Sequence, residues 1–352
     1  MRLPKALSRK AKQMKRIGNL YGRIISVENL RLADEKARRG KLRSYGVRRH
    51  DKNREANIMA LHEALKSKTF RTSEYEVFMI HEPKERVIYR LPYYPDRIVH
   101  HAIMNVLEPI WVSVFTHNTY SCIKGRGIEG CARHAEKMIR RYEGRPLYCL
   151  KIDIRKCYPS MSHEVLKGIV RRKIKDKDLL WLLDEIIDSA PGLPIGNYLS
   201  QYLANLNFAY FMHWVNEELK LECEEYADDF VFYSESKDRL WEAFPKIRKY
   251  IEEELRLKVK GNWQIFPVAE NCYDKHGRAI DFVGYRFFKK QKLMRKGIKK
   301  NLCQVVARLR GRALTAKEYR RRIASWIGWA QHSDSRHLLQ TIIGESYGSI
   351  LR

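Results

Sequence analysis

EEYADDFVFYS, residues 224–234, places two adjacent carboxylates, Asp228 and Asp229, between two short apolar segments. Because Asp is common in turns, the pattern predicts a tight hairpin with the acidic pair at its tip. A solvated turn is one interpretation. The other is a cation site, since adjacent like charges repel and a bound cation offsets that repulsion. Two Mg²⁺ ions about 3.5–4 Å apart are the requirement of two-metal phosphoryl transfer.

A third carboxylate of interest lies 75 residues before Asp228. The segment LYCLKIDI, residues 147–154, predicts a buried strand that ends at Asp153. A carboxylate at a strand end is placed to ligate an ion, and the backbone carbonyl of Ile154 offers a further oxygen ligand. The order of elements over 147–288 predicts an α+β sheet with helices packed on one face. In that arrangement Asp153 meets the hairpin carboxylates from a neighbouring strand.

Positive charge is concentrated at the two ends of this 352-residue sequence, whose net charge is +28. Residues 1–50 and residues 289–352 each hold 16 Lys and Arg against 3 Asp and Glu. A polyanion contacted from two sides accounts for this pattern, and nucleic acid is the favoured one. An anionic membrane surface is the alternative, but it requires a basic amphipathic helix with exposed aromatic residues. None is evident in the sequence.

Composition excludes several other classes. A hydrophobic content of 44% is sufficient for ordinary cores, so global disorder is not expected. No apolar run approaches the roughly 20 residues of a membrane span, and the basic N-terminus lacks the apolar region of a secretory signal. The seven cysteines include no C-x-x-C pair, which favours neither zinc nor disulfides. We therefore predict a cytoplasmic protein.

Apolar spacing predicts further elements outside the acidic region. Ile58, Leu61 and Leu65 share one face of a helix predicted over 54–66. The other predictions are two strands joined at Pro83, a helix capped by Asp96 and ended by Pro109, a helix over 237–255 that is irregular at Pro245, and strands near 257–268 and 281–288.

Together these segments resemble the motifs of reverse transcriptases. Asp153 matches the first catalytic carboxylate of that family, and Asp228 with Asp229 matches the pair of its Y-x-D-D box. Tyr158 matches the aromatic steric gate, which crowds a ribose 2′-hydroxyl and favours dNTPs; a packed core aromatic is the alternative. ERVIYRLPYYPDRIVHHAI and NTYSCIKGRGIEG resemble fingers motifs. LRLKVKGNWQIFPV and DFVGYRFF resemble later palm motifs.

The resemblance implies a right-hand polymerase with fingers, a ferredoxin-like palm and a helical thumb. It implies two Mg²⁺ ions held by Asp153, Ile154, Asp228 and Asp229, with Mn²⁺ as a possible substitute. The resemblance also implies that the protein binds dNTPs, a template RNA and the RNA–cDNA heteroduplex. The predicted divisions are a basic N-terminal extension (1–50), the first part of the fingers (51–146), the palm (147–288, with fingers helices over about 162–197) and a basic thumb (289–352).

The segment LPIGNYLSQ, residues 193–201, carries the finer resemblance. Most reverse transcriptases have a polar residue such as Gln before the Gly and Pro after the Ser; this chain has Ile195 before Gly196 and Gln201 after Ser200. That pattern, and ASWIGWAQHSD at residues 324–334, resemble the enzymes of diversity-generating retroelements in bacteria and their phages. The resemblance implies adenine-mutagenised cDNA and a small, basic, homopentameric accessory variability protein.

Ile195, Gly196 and Gln201 are therefore predicted dNTP contacts, and Ile195 predicts low fidelity. A polar side chain there can hydrogen-bond the incoming nucleotide, whereas Ile cannot. Losing one positioning contact narrows the gap between correct and incorrect pairs by ~1–2 kcal/mol. The alternative is that Ile195 packs in the pocket wall and fidelity is set elsewhere.

Lys84 and Arg86 lie in the strand pair expected to fold over the triphosphate, where cations neutralise phosphate charge. Solvated surface cations are the alternative interpretation. The competitors for the phosphate role are Arg90, Lys124 and Arg126, and the candidates for a general acid are Lys258 and Lys260.

Two other functions remain open at this stage. One is a reverse transcriptase of another prokaryotic class, from a group II intron, a retron or a defence system; the Ile195 and Gln201 pattern disfavours it. The other is a non-catalytic RNA-binding scaffold with a polymerase fold, which the three intact carboxylates disfavour.

Overall fold

The structure is a computed structural model that describes residues 16–81, 85–312 and 314–344. These residues form two compact units, each assembled from separated parts of the chain. The first unit contains the described residues up to Cys122, together with Ile154–Glu218 and Lys246–Lys260. The second contains Ile123–Asp153, Leu219–Pro245 and the described residues from Gly261 onwards.

The strands, in chain order, are β1 (Glu76–Ile80), β2 (Arg86–Arg90), β3 (Tyr148–Asp153), β4 (Glu222–Tyr226), β5 (Asp229–Ser234), β6 (Gln264–Pro267), β7 (Ile280–Phe282), β8 (Tyr285–Phe287) and β9 (Lys292–Met294).

The helices are α1 (Tyr21–Ile25), α2 (Val27–Ala37), α3 (Tyr45–Asp51), α4 (Arg54–Lys66), α5 (Ile98–Val112), α6 (Gly127–Arg140), α7 (Cys157–Ser160), α8 (His163–Lys173), α9 (Lys177–Asp188), α10 (Ser200–Trp214), α11 (Lys237–Lys249), α12 (Lys296–Leu309), α13 (Ala316–Gln331) and α14 (Arg336–Ile343). Short π-helical turns occur at Tyr93–Arg97, Val215–Leu219 and Tyr250–Glu254.

A four-stranded antiparallel sheet forms the core of the second unit. Its strand order is β4-β5-β3-β6, so that β5 and β3 are central. The residues of β5 from Phe230 to Ser234 are all buried, as expected for an apolar run that is covered on both faces. Helix α6 packs against β4. The predicted strand ending at Asp153 is confirmed as β3.

The β4–β5 connection is a two-residue turn made by Ala227 and Asp228, closed by the pair of Tyr226 with Asp229. Ala227 has a φ of +59°, in the left-handed region that two-residue hairpins use. For a residue other than Gly this conformation costs about 1–2 kcal/mol. The predicted hairpin is confirmed: Asp228 lies in the turn and Asp229 opens β5.

The rest of the second unit includes a three-stranded antiparallel sheet, β7-β8-β9. Helices α12, α13 and α14 pack around a separate apolar core, whose members include Leu302, Val306, Ile323, Ile327 and Leu339. Strand β9 was not predicted, and it lies within the segment expected to be a helical thumb. The helical character expected of that segment is present in α12, α13 and α14.

A buried carboxylate joins several helices of the first unit. Asp34 of α2 is fully buried and accepts hydrogen bonds from Arg38, at 2.8 Å, and from Arg54 of α4, at 2.6 Å. The Tyr93 hydroxyl donates to the same carboxylate. Burial alone would raise the pKa of Asp34, but these hydrogen bonds lower it below its usual value. The ionised carboxylate therefore ties α2 to its neighbours.

The predicted helix from Asp96 to Pro109 is wrong at both ends. Asp96 does not cap it; its Oδ1 accepts from the Ser73 backbone N–H at 3.0 Å. Helix α5 runs over Ile98–Val112, with Pro109 inside it. Proline in a helix interior costs about 3 kcal/mol. Burial of Trp111, which is 0% exposed, offsets that cost.

The remaining predicted helices and strands are present, but several differ in their bounds. Helix α4 has its predicted bounds and buries Ile58, Leu61 and Leu65. Pro245 stays within α11, and the irregularity lies instead in the π-helical turn that follows it. The strand predicted over 257–268 is limited to β6, and the one over 281–288 is the β7–β8 pair. Both strands of the pair around Pro83 are present, but Pro83 itself lies outside the described residues.

Candidate active site

The acidic residues converge at one end of the four-stranded sheet. Asp153, the last residue of β3, is the direct cross-strand partner of Asp229, the first residue of β5. Opposite residues in antiparallel strands have Cα atoms about 4.5–5.5 Å apart. Asp228 precedes Asp229 in the hairpin turn. The sheet register therefore brings Asp153 and Asp229 opposite each other, with Asp228 next in sequence, as the sequence predicts.

Asp229 is largely buried, and its two carboxylate oxygens have different surroundings. Oδ2 lies 3.1 Å from Nζ of Lys151, whereas Oδ1 is buried with no hydrogen-bond partner among the described residues. Burial raises the pKa of Asp229 to about 6; the Lys151 ammonium lowers it, and the charges of Asp153 and Asp228 raise it. This carboxylate thus carries a destabilising charge near neutral pH.

The site fits a hard divalent cation in its donor chemistry. Carboxylate oxygens are the ligands that Mg²⁺ prefers, and the buried Oδ1 of Asp229 has a coordinating position to offer. Within residues 16–81, 85–312 and 314–344, no group of three or more His, Cys, Asp or Glu side chains is already arranged to hold a metal ion. Facing carboxylates repel each other, and a bound cation would offset that repulsion.

A second group of predicted site residues is brought together within the first unit. Tyr158 on α7 donates its hydroxyl hydrogen bond to Oε1 of Gln201 on α10. Gln201 Nε2 donates to Asn205 Oδ1 at 3.2 Å, and Asn205 Nδ2 donates to the carbonyl of Ser121 at 2.7 Å. Tyr158 and Gln201 are 43 positions apart in sequence, yet they share one polar chain.

Ile195 and Gly196 contact the β1–β2 pair of the same unit. The Tyr89 backbone N–H donates to the carbonyl of Ile195 at 2.8 Å. Gly196 has a φ of +125°, and a Cβ at this position would lie 2.4 Å from the Tyr89 carbonyl oxygen. Only glycine tolerates both the conformation and the approach. The Ile195 side chain is half-buried.

Comparison with known proteins identifies the family. Residues 81–285 match the family described as reverse transcriptase (RNA-dependent DNA polymerase). The chain belongs to this family. Among similar proteins, YkfC of Escherichia coli K12 is 24% identical over 195 residues, which are 52% of this chain and 47% of YkfC. The group II intron-encoded protein LtrA of Lactococcus lactis is 23% identical over 190 residues, 49% of this chain and 30% of LtrA.

The match thus spans less than half the length of either of these relatives. Among solved structures, apo telomerase from Candida tropicalis is similar with a TM-score of 0.49 and 13% identity, over 80% of this chain and 59% of that one. No helix in the described part of the chain is long and apolar enough to cross a membrane.

The α+β architecture of this reverse transcriptase is that of a right-hand polymerase. The division into an N-terminal extension, fingers, palm and thumb at the predicted positions stays a prediction, because the two compact units are interleaved along the sequence. Within that sequence, the matched region contains the acidic residues, Tyr158 and the Ile195–Gln201 segment.

The structure describes some, but not all, of the Lys and Arg residues predicted to bind the triphosphate. Arg86 is exposed on β2, and Lys84 lies outside the described residues. Among their competitors, Arg90 ion-pairs with Glu76 and stacks over Phe78. The phosphate contacts, the Ile154 carbonyl ligand and the general acid stay predictions. Lys124 and Arg126 belong to the second unit, and Lys258 and Lys260 to the first.

Sequence reasoning missed two features of the second unit. Lys151 lies two residues before Asp153 on β3, and side chains at that spacing share one face of a strand, so the signal was present. Glu224 of β4 is fully buried, 2.7 Å from His134 Nδ1 and 2.6 Å from the Tyr233 hydroxyl that donates to it. Burial raises the pKa of Glu224, while these two partners lower it. Through Glu224, this network links β4 to α6 and to β5.

Proposed function

We propose that this reverse transcriptase is the RNA-directed DNA polymerase of a diversity-generating retroelement, and that it makes adenine-mutagenised cDNA from a template RNA. The polymerase part rests on one observation, the cross-strand pairing of Asp153 with Asp229 beside the Asp228 turn. The retroelement part rests on Ile195 and Gln201, which stand where most members of the family carry a polar residue and proline.

The three carboxylates are the proposed ligands of two Mg²⁺ ions, with Mn²⁺ as a substitute. Bound there, the two ions would supply activation of the primer 3′-hydroxyl and charge stabilisation for the pyrophosphate leaving group. Asp153 and Asp229 face each other from rigid central strands, so little of their position depends on loop motion. Lys151 holds Asp229 and favours its ionised form, which is the form that ligates a cation.

The described residues that are proposed to contact the dNTP lie in the first unit. Tyr158 excludes a ribose 2′-hydroxyl, and Arg86, with Lys84, neutralises the triphosphate. Ile195 presents an apolar side chain where a hydrogen-bonding group would otherwise hold the base pair in register. Its backbone carbonyl is already engaged by Tyr89. The segment therefore supports the strand pair without offering a side-chain hydrogen bond, which accords with low fidelity.

Basic surfaces are proposed to hold the template RNA and the heteroduplex. Residues 1–50 and 289–352 carry the excess positive charge. On α13, Arg320, Arg321 and Arg322 are exposed while Ile323 and Ile327 pack inward. A-form duplexes are contacted through phosphates and 2′-hydroxyls, so exposed arginines suit them. We also propose a homopentameric accessory variability protein as a partner and a cytoplasmic location. The partner rests on the family resemblance alone.

A reverse transcriptase of the group II intron type is the second candidate. The similarity to LtrA favours it, as does nuclear intron maturase 4 of Arabidopsis thaliana, which is 23% identical over 175 residues, 46% of this chain and 21% of that protein. Misincorporation at template adenines is implied only by the resemblance to diversity-generating retroelements. The error spectrum therefore separates the two candidates.

The test copies a defined RNA template with the wild type, Ile195→Gln and the matched control Ile195→Val. We expect wild-type errors to concentrate opposite template adenines, and Ile195→Gln to reduce them about five- to thirty-fold. Ile195→Val, which keeps an apolar side chain, should retain them. A wild-type spectrum without adenine bias would reject the retroelement assignment, and equal spectra for the wild type and Ile195→Gln would reject the role of Ile195.

A further inference from the structure

We propose that Gln201 is a positioning residue that fixes the side chain of Tyr158, and that it thereby sets how strongly the enzyme selects deoxyribonucleotides over ribonucleotides. The inference rests on the proposed polymerase function, in which Tyr158 is the steric gate. It assigns to Gln201 an action through Tyr158 rather than a contact with the nucleotide.

The backbone of Tyr158 is held by the loop that precedes α10. Its carbonyl accepts a hydrogen bond from the Leu193 backbone N–H at 2.8 Å. Gly192 has a φ of +62°, and a Cβ there would lie 2.5 Å from the same carbonyl oxygen. This close packing fixes the Cα position of Tyr158. It leaves the two side-chain torsions, and hence the place of the ring, to other contacts.

The far end of the ring is held by α10. The Tyr158 hydroxyl donates to Oε1 of Gln201, and both residues are only half-buried. A steric gate excludes the ribose 2′-hydroxyl by the position of its ring edge. A ring that can move therefore selects dNTPs over rNTPs less strongly. A bond at the hydroxyl is the most effective place to restrain the ring, because it lies farthest from the Cα.

The direction of this bond is dictated by the polar chain behind it. The carbonyl of Ser121 can only accept, so it orients Asn205 with Nδ2 towards it and Oδ1 towards Gln201. Gln201 must then turn its Nε2 to Asn205, which leaves Oε1 facing Tyr158. The Tyr158 hydroxyl is therefore the donor. Asn205 is 1% exposed, so the chain is anchored in the interior of the first unit.

The start of α10 is itself fixed to the loop. Ser200 Oγ donates to the carbonyl of Pro194 at 2.7 Å. Gln201 is therefore restrained by its neighbour in sequence and by Asn205 one helical turn later. Proline, the residue that most family members carry at this position, has no side-chain acceptor. The hydroxyl restraint is a feature of the Gln201 side chain.

Single-nucleotide incorporation on an RNA template measures this role, as the ratio of kcat/KM for a dNTP to that for the matching rNTP. The variants are Gln201→Leu and Tyr158→Phe, which remove the bond from either end, and the double variant. Tyr202→Phe is the matched control, because the adjacent Tyr202 on α10 donates its hydroxyl to Glu108 at 2.9 Å. Tyr158→Ala removes the ring altogether.

We expect Gln201→Leu and Tyr158→Phe each to lower the ratio about three- to ten-fold, through a lower KM for the rNTP. The double variant should be no worse than either single one, since both remove one bond. Tyr202→Phe should leave the ratio unchanged. A KM raised equally for both nucleotides in Gln201→Leu, with an unchanged ratio, would indicate structural damage alone and would overturn the role of Gln201.

Unchanged ratios in Gln201→Leu and Tyr158→Phe, with a ratio lost in Tyr158→Ala, would overturn the role of Gln201. Additive effects in the double variant would also overturn it, because the two side chains would then act separately. A wild type that incorporates neither dNTPs nor rNTPs would instead contradict the proposed polymerase function.

Discussion

Asp153 and Asp229 stand directly opposite each other in neighbouring antiparallel strands, each at the end of its strand nearest the β4–β5 turn. Like charges in this relationship destabilise a sheet. The arrangement keeps two carboxylates on the central strands of a rigid sheet, with Asp228 beside them in a turn that carries its own backbone strain at Ala227. The repulsion between these carboxylates lowers the stability of the sheet, and a cation bound at the same place would offset it.

The first prediction concerns the pH dependence of stability. Burial above all raises the pKa of Asp229 to about 6, so the native state binds this proton more tightly than the unfolded chain, whose Asp has a pKa of about 3.9. The resulting stabilisation is complete below about pH 4 and is lost as pH rises through about 6. Asp229→Asn, which is always neutral, should therefore be more stable than the wild type at pH 8 by about 1–2 kcal/mol.

Urea unfolding in EDTA at pH 4, 6 and 8 measures this difference. We expect the advantage of Asp229→Asn to shrink as pH falls and to be absent at pH 4. Asp238→Asn, on the exposed face of α11, is the control for loss of a surface carboxylate. An Asp229→Asn advantage that is the same at all three pH values would contradict the assignment.

The second prediction concerns Lys151. Its ammonium lowers the pKa of Asp229, so Lys151→Met should raise that pKa further and shift the acidic limb of the pH–rate profile to higher pH. Lys151→Arg keeps the charge and should retain the wild-type limb. The measurement is the rate of primer extension between pH 5 and 9 at saturating Mg²⁺. Coincident limbs for the wild type and Lys151→Met would show that Lys151 does not act on this carboxylate.

The third prediction concerns the loop that contains Ile195. In Gly196→Ala the new Cβ meets the Tyr89 carbonyl oxygen at 2.4 Å, and the residue keeps an unfavourable φ of +125°. We expect a loss of about 1–3 kcal/mol in the free energy of unfolding and a raised KM for dNTPs. Gly168→Ala is the matched control: it lies in α8 with nothing within 4 Å of the added Cβ, and should be neutral or stabilising. A Gly196→Ala protein as stable as Gly168→Ala would refute the close approach.

The sequence predicts well what depends on local pattern. The apolar run before Asp153 and the apolar run after the paired aspartates define the strand ends, and the sheet register then places Asp153 opposite Asp229. Helix α4 likewise follows from the spacing of its apolar residues. Each of these depends on short-range periodicity that burial reinforces.

What the sequence does not predict depends on contacts between distant positions. Helix α5 continues through Pro109 because Trp111 is buried by the fold. The bond from Tyr158 to Gln201 and the bond from Tyr89 to the Ile195 carbonyl each join segments that no local pattern connects. The sequence therefore predicts the strand ends and helix α4, but it does not predict which distant residues contact each other.

The most direct test of the catalytic assignment is extension of a DNA primer on an RNA template with Mg²⁺ and dNTPs, by the wild type and by Asp153→Asn, Asp228→Asn and Asp229→Asn, each shown to be folded. We expect extension by the wild type and a loss of about a thousand-fold or more in each variant, because all three carboxylates hold the same two Mg²⁺ ions. Wild-type rates in any one of the three variants would contradict it.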